Sequence, residues 1–73
     1  MSSIVGLIGA GNMGRGMAAS LARAGHRVLQ FDVNRELLAS STAQSPSIES
    51  ASSIADVAER ASDGGVIVSV AGE

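Results

Sequence analysis

Four strands and three helices, alternating β-α-β-α-β-α-β on one parallel sheet of order 3-2-1-4, are what this 73-residue sequence predicts. Three observations carry that α/β reading. Short apolar, β-branched runs recur at 4–8, 28–31 and 66–70, the pattern of parallel strands buried on both faces. Between them the apolar residues change to helical spacing. The first run ends in glycines spaced G-x-G-x-x-G at Gly9, Gly11 and Gly14, a strand-to-helix turn. Strands that alternate with helices form parallel sheets with right-handed crossovers.

Each element has a local reason. Ile4 to Ile8 is apolar on both faces and opens the sheet. From 12 to 24, Met13, Met17, Leu21 and Ala24 recur at helical spacing, beside a stripe of small residues at Gly14, Ala18 and Ala22 that lets a helix lie close on a sheet. Gly25 supplies the helix stop. The second strand, 28–31, is closed by Asp32, and Asn34 caps a helix from 35 to about 43. Residues 40–53 are rich in Ser and Ala and hold Pro46, the only proline; they read as a loop around a short strand at 47–49. Ser53 caps the third helix, with Asp56 as its capping-box partner and Ile54, Val57, Ala58 and Ala61 as its apolar face. Asp63-Gly64-Gly65 is a turn, and the fourth strand follows at 66–70.

Composition narrows the function. Apolar residues make up 45% of the chain, so it is no disordered tail, but Phe31 is the only aromatic, which argues against base-stacking platforms. The five arginines are scattered, there is no lysine and the net charge is −2, so nucleic acid is not an expected partner. Without cysteine there is neither a disulfide framework nor a thiolate metal site. No run approaches the length of a membrane span and no secretory leader is visible, which makes the expected location cytoplasmic. His26 reads as a surface turn residue, and Arg15 and Arg23 as solvated.

The glycine turn has its full context: a buried strand before it, a helix after it, and an acid, Asp32, 18 residues beyond Gly14. That combination is the dinucleotide-binding fingerprint of a Rossmann-type fold. Gly9 permits the tight turn, Gly11 lets a pyrophosphate approach the backbone, and Gly14 lets the helix pack on the sheet. The helix start at Asn12 and Met13 offers unpaired N–H groups and a positive dipole end to phosphate. Asp32 accepts from the adenosine ribose hydroxyls and disfavours a 2′-phosphate, so NAD is expected over NADP. The cofactor-binding set is Gly9, Ala10, Gly11, Asn12, Met13, Gly14, Phe31, Asp32, Val33, Val70 and Ala71. No catalytic and no metal-ligating residue is read from the sequence.

The stretch "GLIGAGNMGRGMAASLARAGHRVLQFDVNRE" resembles the amino-terminal segment of the β-hydroxyacid dehydrogenases, the family of 3-hydroxyisobutyrate dehydrogenase and, more distantly, 6-phosphogluconate dehydrogenase. The G-x-G-x-M-G at Gly9 to Gly14, the "AGH" at Ala24 to His26, the "D-x-N" at Asp32 to Asn34 and the later "SIADVAERAS" carry the likeness. The chain departs from it at Asp32-Val33, where NADP-using relatives place Asn-Arg, and at Ala71-Gly72, where many members have Leu-Pro. The resemblance implies hydride transfer between a nicotinamide and a small 3-hydroxy acid, in a homo-oligomeric parent enzyme. It also implies that the substrate motif and the catalytic lysine lie beyond the fourth strand, so that this chain is a partial dinucleotide-binding domain, 1–73, truncated after that strand and inactive alone. Two other readings stand beside it: another NAD(P)-linked reductase, such as a pyrroline-carboxylate reductase, and a non-catalytic dinucleotide-sensing or interaction module.

Overall fold

The computed structural model describes residues 4–61 and 66–69. Strands β1 (Ile4–Ile8), β2 (Arg27–Phe31), β3 (Ile48–Ser50) and β4 (Val66–Ser69) form one sheet of order β3-β2-β1-β4, every pair parallel. Helices α1 (Asn12–Arg23), α2 (Arg35–Thr42) and α3 (Ile54–Ala61) connect them. Alternation along β1 and β2 divides the core between two faces. Leu7 and Val28 point with Ala18 and Ile48 to the side that α1 covers, while Leu29 packs with Ala51 and Val57 of α3 on the other. Fully burying a Leu or Val contributes roughly 1.5–3 kcal/mol, so these few side chains dominate so small a core.

The small residues of α1 reach the sheet most closely. Gly14 and Ala18 are buried, whereas Met17, Leu21 and Ala22 pack at the margin of the core. Met13 and Ala24, expected on the apolar face, are exposed; Met13 precedes the point at which the helix descends onto the sheet and stays 59% accessible. The stop at Gly25 is a Schellman motif: Gly25, at φ +93°, donates its N–H to the Ala22 carbonyl (3.1 Å), and His26 donates to Leu21 (3.0 Å).

α2 begins where Asn34 Oδ1 accepts the N–H groups of Glu36 (3.0 Å) and Leu37 (3.1 Å), the expected cap. β3 lies one residue later than the sequence predicts, because the register pairs Ile48 with Val28 and Ser50 with Gln30, flanked by bonds from Val28 N–H to the Ser47 carbonyl (2.9 Å) and from Ala51 N–H to that of Gln30 (2.8 Å). α3 is capped by Ser53 Oγ, which accepts from Asp56 N–H (3.0 Å). The reciprocal half of the capping box is displaced: the Asp56 carboxylate accepts instead from the N–H (2.9 Å) and hydroxyl (3.2 Å) of Ser52. That backbone bond is the chief reason its pKa lies below the usual 3.8. Only Val57 and Ala61 of α3 are buried; Ile54 is 53% exposed and Ala58 is exposed, so the helix rests on a narrower stripe than the expected face. Gly6 of β1 makes that contact possible, since a Cβ there would lie 2.7 Å from Val57 Cγ1. The expected turn at 63–65 lies outside the described residues. Among the described residues no helix is long and apolar enough to cross a membrane.

Candidate dinucleotide-binding site

The carboxyl ends of β1 and β2 lie side by side, and the site grows from them. The β1–β2 ladder runs one residue past β1, where Gly9 N–H donates to the Phe31 carbonyl (2.8 Å). The chain then turns sharply at Gly9, whose φ of +115° is a conformation that side chains with a Cβ rarely adopt. Gly11, in extended conformation, is the N-cap of α1, and its carbonyl accepts from Arg15 N–H (2.8 Å). No side chain caps this helix start and no acidic residue stands in its first turn. The first N–H groups of the helix are therefore left without a side-chain acceptor from the cap, an arrangement suited to phosphate.

Asp32 stands just beyond β2 and is tied to the glycine turn. Its Oδ2 accepts the Ala10 N–H (2.7 Å), and its Oδ1 accepts the Asn34 N–H (2.8 Å). An ionised carboxylate has about four acceptor positions. Two are used by the backbone, which leaves one on each oxygen for a pair of neighbouring hydroxyls. Phe31 before it is half-buried, and Val33 after it is 85% exposed. A cleft of about 590 Å³ opens beside the carboxylate, bordered by Val33, Arg35, Leu38, Thr42 and Ser52.

The structure thus brings Gly9, Ala10, Gly11 and Asp32 together, with Asn12 and Met13 exposed at the start of α1 and Gly14 buried beneath it. Val70 and Ala71 lie outside the described residues. One residue of the site was missed. Gln30, fully buried in β2, donates from Nε2 to the carbonyls of Gly9 (2.8 Å) and Gly14 (3.3 Å), and its Oε1 accepts from Ser41 Oγ (2.5 Å). A lone amide inside the run Val28–Phe31 was the available signal, because an amide buried in a core strand needs partners nearby. No cluster of metal-ligating side chains is present among the described residues.

This geometry agrees with what the comparisons with known proteins find. The family described as the NAD binding domain of 6-phosphogluconate dehydrogenase matches residues 4–73. The chain belongs to that family. It therefore carries a domain of the kind that binds a nicotinamide dinucleotide. Among solved structures it is similar to 3-hydroxyisobutyrate dehydrogenase of Mycobacterium tuberculosis, determined with L-serine, at 27% identity and a TM-score of 0.84. That match covers 97% of this chain and 23% of the other, so the chain corresponds to under a quarter of that dehydrogenase's length. No curated protein matches the sequence. Membership of the family and the parallel 3-2-1-4 sheet bear out the Rossmann-type reading and the resemblance to the β-hydroxyacid dehydrogenases.

Proposed function

We propose that this chain is the cofactor-binding part of an oxidoreductase that transfers hydride between a nicotinamide and a small 3-hydroxy acid, and that its preferred cofactor is NAD. The family and the likeness to a 3-hydroxyisobutyrate dehydrogenase support the reaction class. The observation that carries the cofactor preference is Asp32, held against the glycine turn with one acceptor position left on each oxygen. In this reading Asp32 binds the two ribose hydroxyls. At about 4 Å and an effective dielectric near 20, its charge opposes a 2′-phosphate by roughly 4 kcal/mol before solvent reduces it.

The other residues have distinct tasks. Gly9, Ala10 and Gly11 shape a turn that a pyrophosphate can approach, and the first turn of α1, with Asn12, Met13 and Gly14, directs N–H groups at it. Phe31 and Val33 flank the adenosine, and Val70 and Ala71 belong to the same set. The bound nicotinamide supplies the hydride chemistry. The proton-transfer lysine and the substrate-carboxylate motif come from parts of the protein other than this chain, which on its own binds cofactor without turnover.

Titration of the full-length protein with NAD and NADP, at low and at high salt, tests the cofactor reading. NAD is expected to bind more tightly, with a margin that narrows as salt screens the repulsion. Equal affinity for NADP overturns the role of Asp32 and makes Arg35, exposed on the neighbouring cleft, the leading phosphate contact. A screen of small 3-hydroxy acids, followed by nicotinamide absorbance, tests the reaction; reduction of NAD by none of them overturns it.

A further inference from the structure

We propose that Gln30, backed by Ser41, is a positioning residue for the dinucleotide: it fixes the Gly9–Ala10 peptide and through it the Asp32 carboxylate. The proposal rests on the cofactor reading given above. A peptide unit is planar, so the Gly9 carbonyl and the Ala10 N–H point in opposite directions from one rigid plate. Gln30 Nε2 holds the inner edge of that plate through the Gly9 carbonyl at 2.8 Å. Asp32 Oδ2 holds the outer edge through the Ala10 N–H at 2.7 Å. Gly9, at φ +115°, has no Cβ to restrict rotation of the plate, so its setting depends on these two bonds.

The same amide reaches the Gly14 carbonyl in the first turn of α1 at 3.3 Å, which ties the phosphate turn and the helix start to one side chain. Gln30 cannot turn away, because it is fully buried and Ser41 of α2 donates to its Oε1. Every polar atom of the side chain is thereby used within the protein. The amide itself never meets the cofactor; it acts through Gly9, Ala10, Gly14 and Asp32. An apolar side chain of similar size in its place keeps the packing and removes the donor.

The test compares Gln30→Met and Ser41→Ala with the unaltered full-length protein, in NAD titrations and in amide hydrogen exchange. Loss of two hydrogen bonds that hold the binding groups is expected to weaken NAD about tenfold in Gln30→Met, and about threefold in Ser41→Ala, which loses only the bond that orients the amide. Exchange is expected to speed up at Gly9 and Ala10 and to stay slow at Leu7 and Val28. A merely structural role would loosen all four alike, and that result overturns the proposal. So does NAD affinity within about twofold of the unaltered protein in both variants. If Gln30→Met does not fold, Ser41→Ala decides by the same two measurements. Failure of the unaltered protein to bind NAD overturns the cofactor reading and this proposal with it, whereas binding that neither variant changes overturns this proposal alone.

Discussion

Gly6→Ala isolates the closest contact in the fold, that of α3 on β1. The new Cβ would stand 2.7 Å from Val57 Cγ1, 3.2 Å from Ala61 Cβ and 3.2 Å from Ile67 Cγ1. Carbon atoms pack best at about 3.5–4.0 Å, so the first contact is about 0.8 Å too short and the other two about 0.3 Å. Val57 and Ala61 are themselves fully buried, and neither can swing into solvent. The helix must lift from the sheet, and overpacking of this kind costs about 1–3 kcal/mol. Restricting the unfolded chain returns about 0.4–1 kcal/mol of that. A net loss of about 1–2 kcal/mol lowers the midpoint of thermal unfolding by roughly 2–8 °C in a protein of about 150–250 residues. Circular dichroism melts of the full-length protein measure it. Gly16→Ala is the control, since a Cβ at that exposed position in α1 meets nothing within 4 Å and is expected to stabilise by about 0.5–1 kcal/mol. If Gly6→Ala melts at or above the unaltered protein, β1 and α3 are not in the contact described.

Asp32→Ser is expected to weaken NAD by about 1–3 kcal/mol and to shift the preference toward NADP, and Val33→Arg added to it moves the preference further, both read by titration. Gly25→Ala places a Cβ at φ +93° and should cost about 1–2 kcal/mol in denaturant unfolding, because the Schellman stop of α1 must distort or open. Asp56 has a depressed pKa, so its stabilising effect is complete above the ordinary carboxylate value and is lost as pH falls through the lower folded value. The gap in melting temperature between the unaltered protein and Asp56→Ala should therefore be full at about pH 6 and close progressively below about pH 4.

The parts of the fold legible in the sequence are those written in local chemistry. The run Ile4–Ile8, the stop at Gly25 and the caps at Asn34 and Ser53 each follow from a residue type and its immediate neighbours, and each stands where expected. The glycine spacing together with Asp32 foretold which segments meet, because the fingerprint encodes a strand, a turn, a helix and a second strand at once. What escaped depends on contacts across long stretches of chain. Gly6 shows its purpose only when Val57 arrives over it, and Gln30 only when Gly9, Gly14 and Ser41 surround its amide. Ile54 and Met13 fit their helical periods, yet both lie at the first turn of a helix, before it meets the sheet, and remain exposed. Asp56 was matched to Ser53 by spacing, but its short side chain finds the Ser52 N–H instead.

The bonds that Asp32 already makes bear on any attempt to exchange the cofactor of this protein by design. A substitution there removes an acceptor from the Ala10 N–H on one side and from the Asn34 N–H on the other. The turn that would hold the pyrophosphate and the cap that starts α2 then loosen together. A redesign that considers only the ribose will read the resulting loss of affinity as a failed specificity switch, when a supporting strut has been taken out. Asparagine, which keeps one carbonyl oxygen for Ala10, or a compensating hydroxyl from the cleft side, is the more promising starting point. Serine, too short to span both donors, is better kept as a probe.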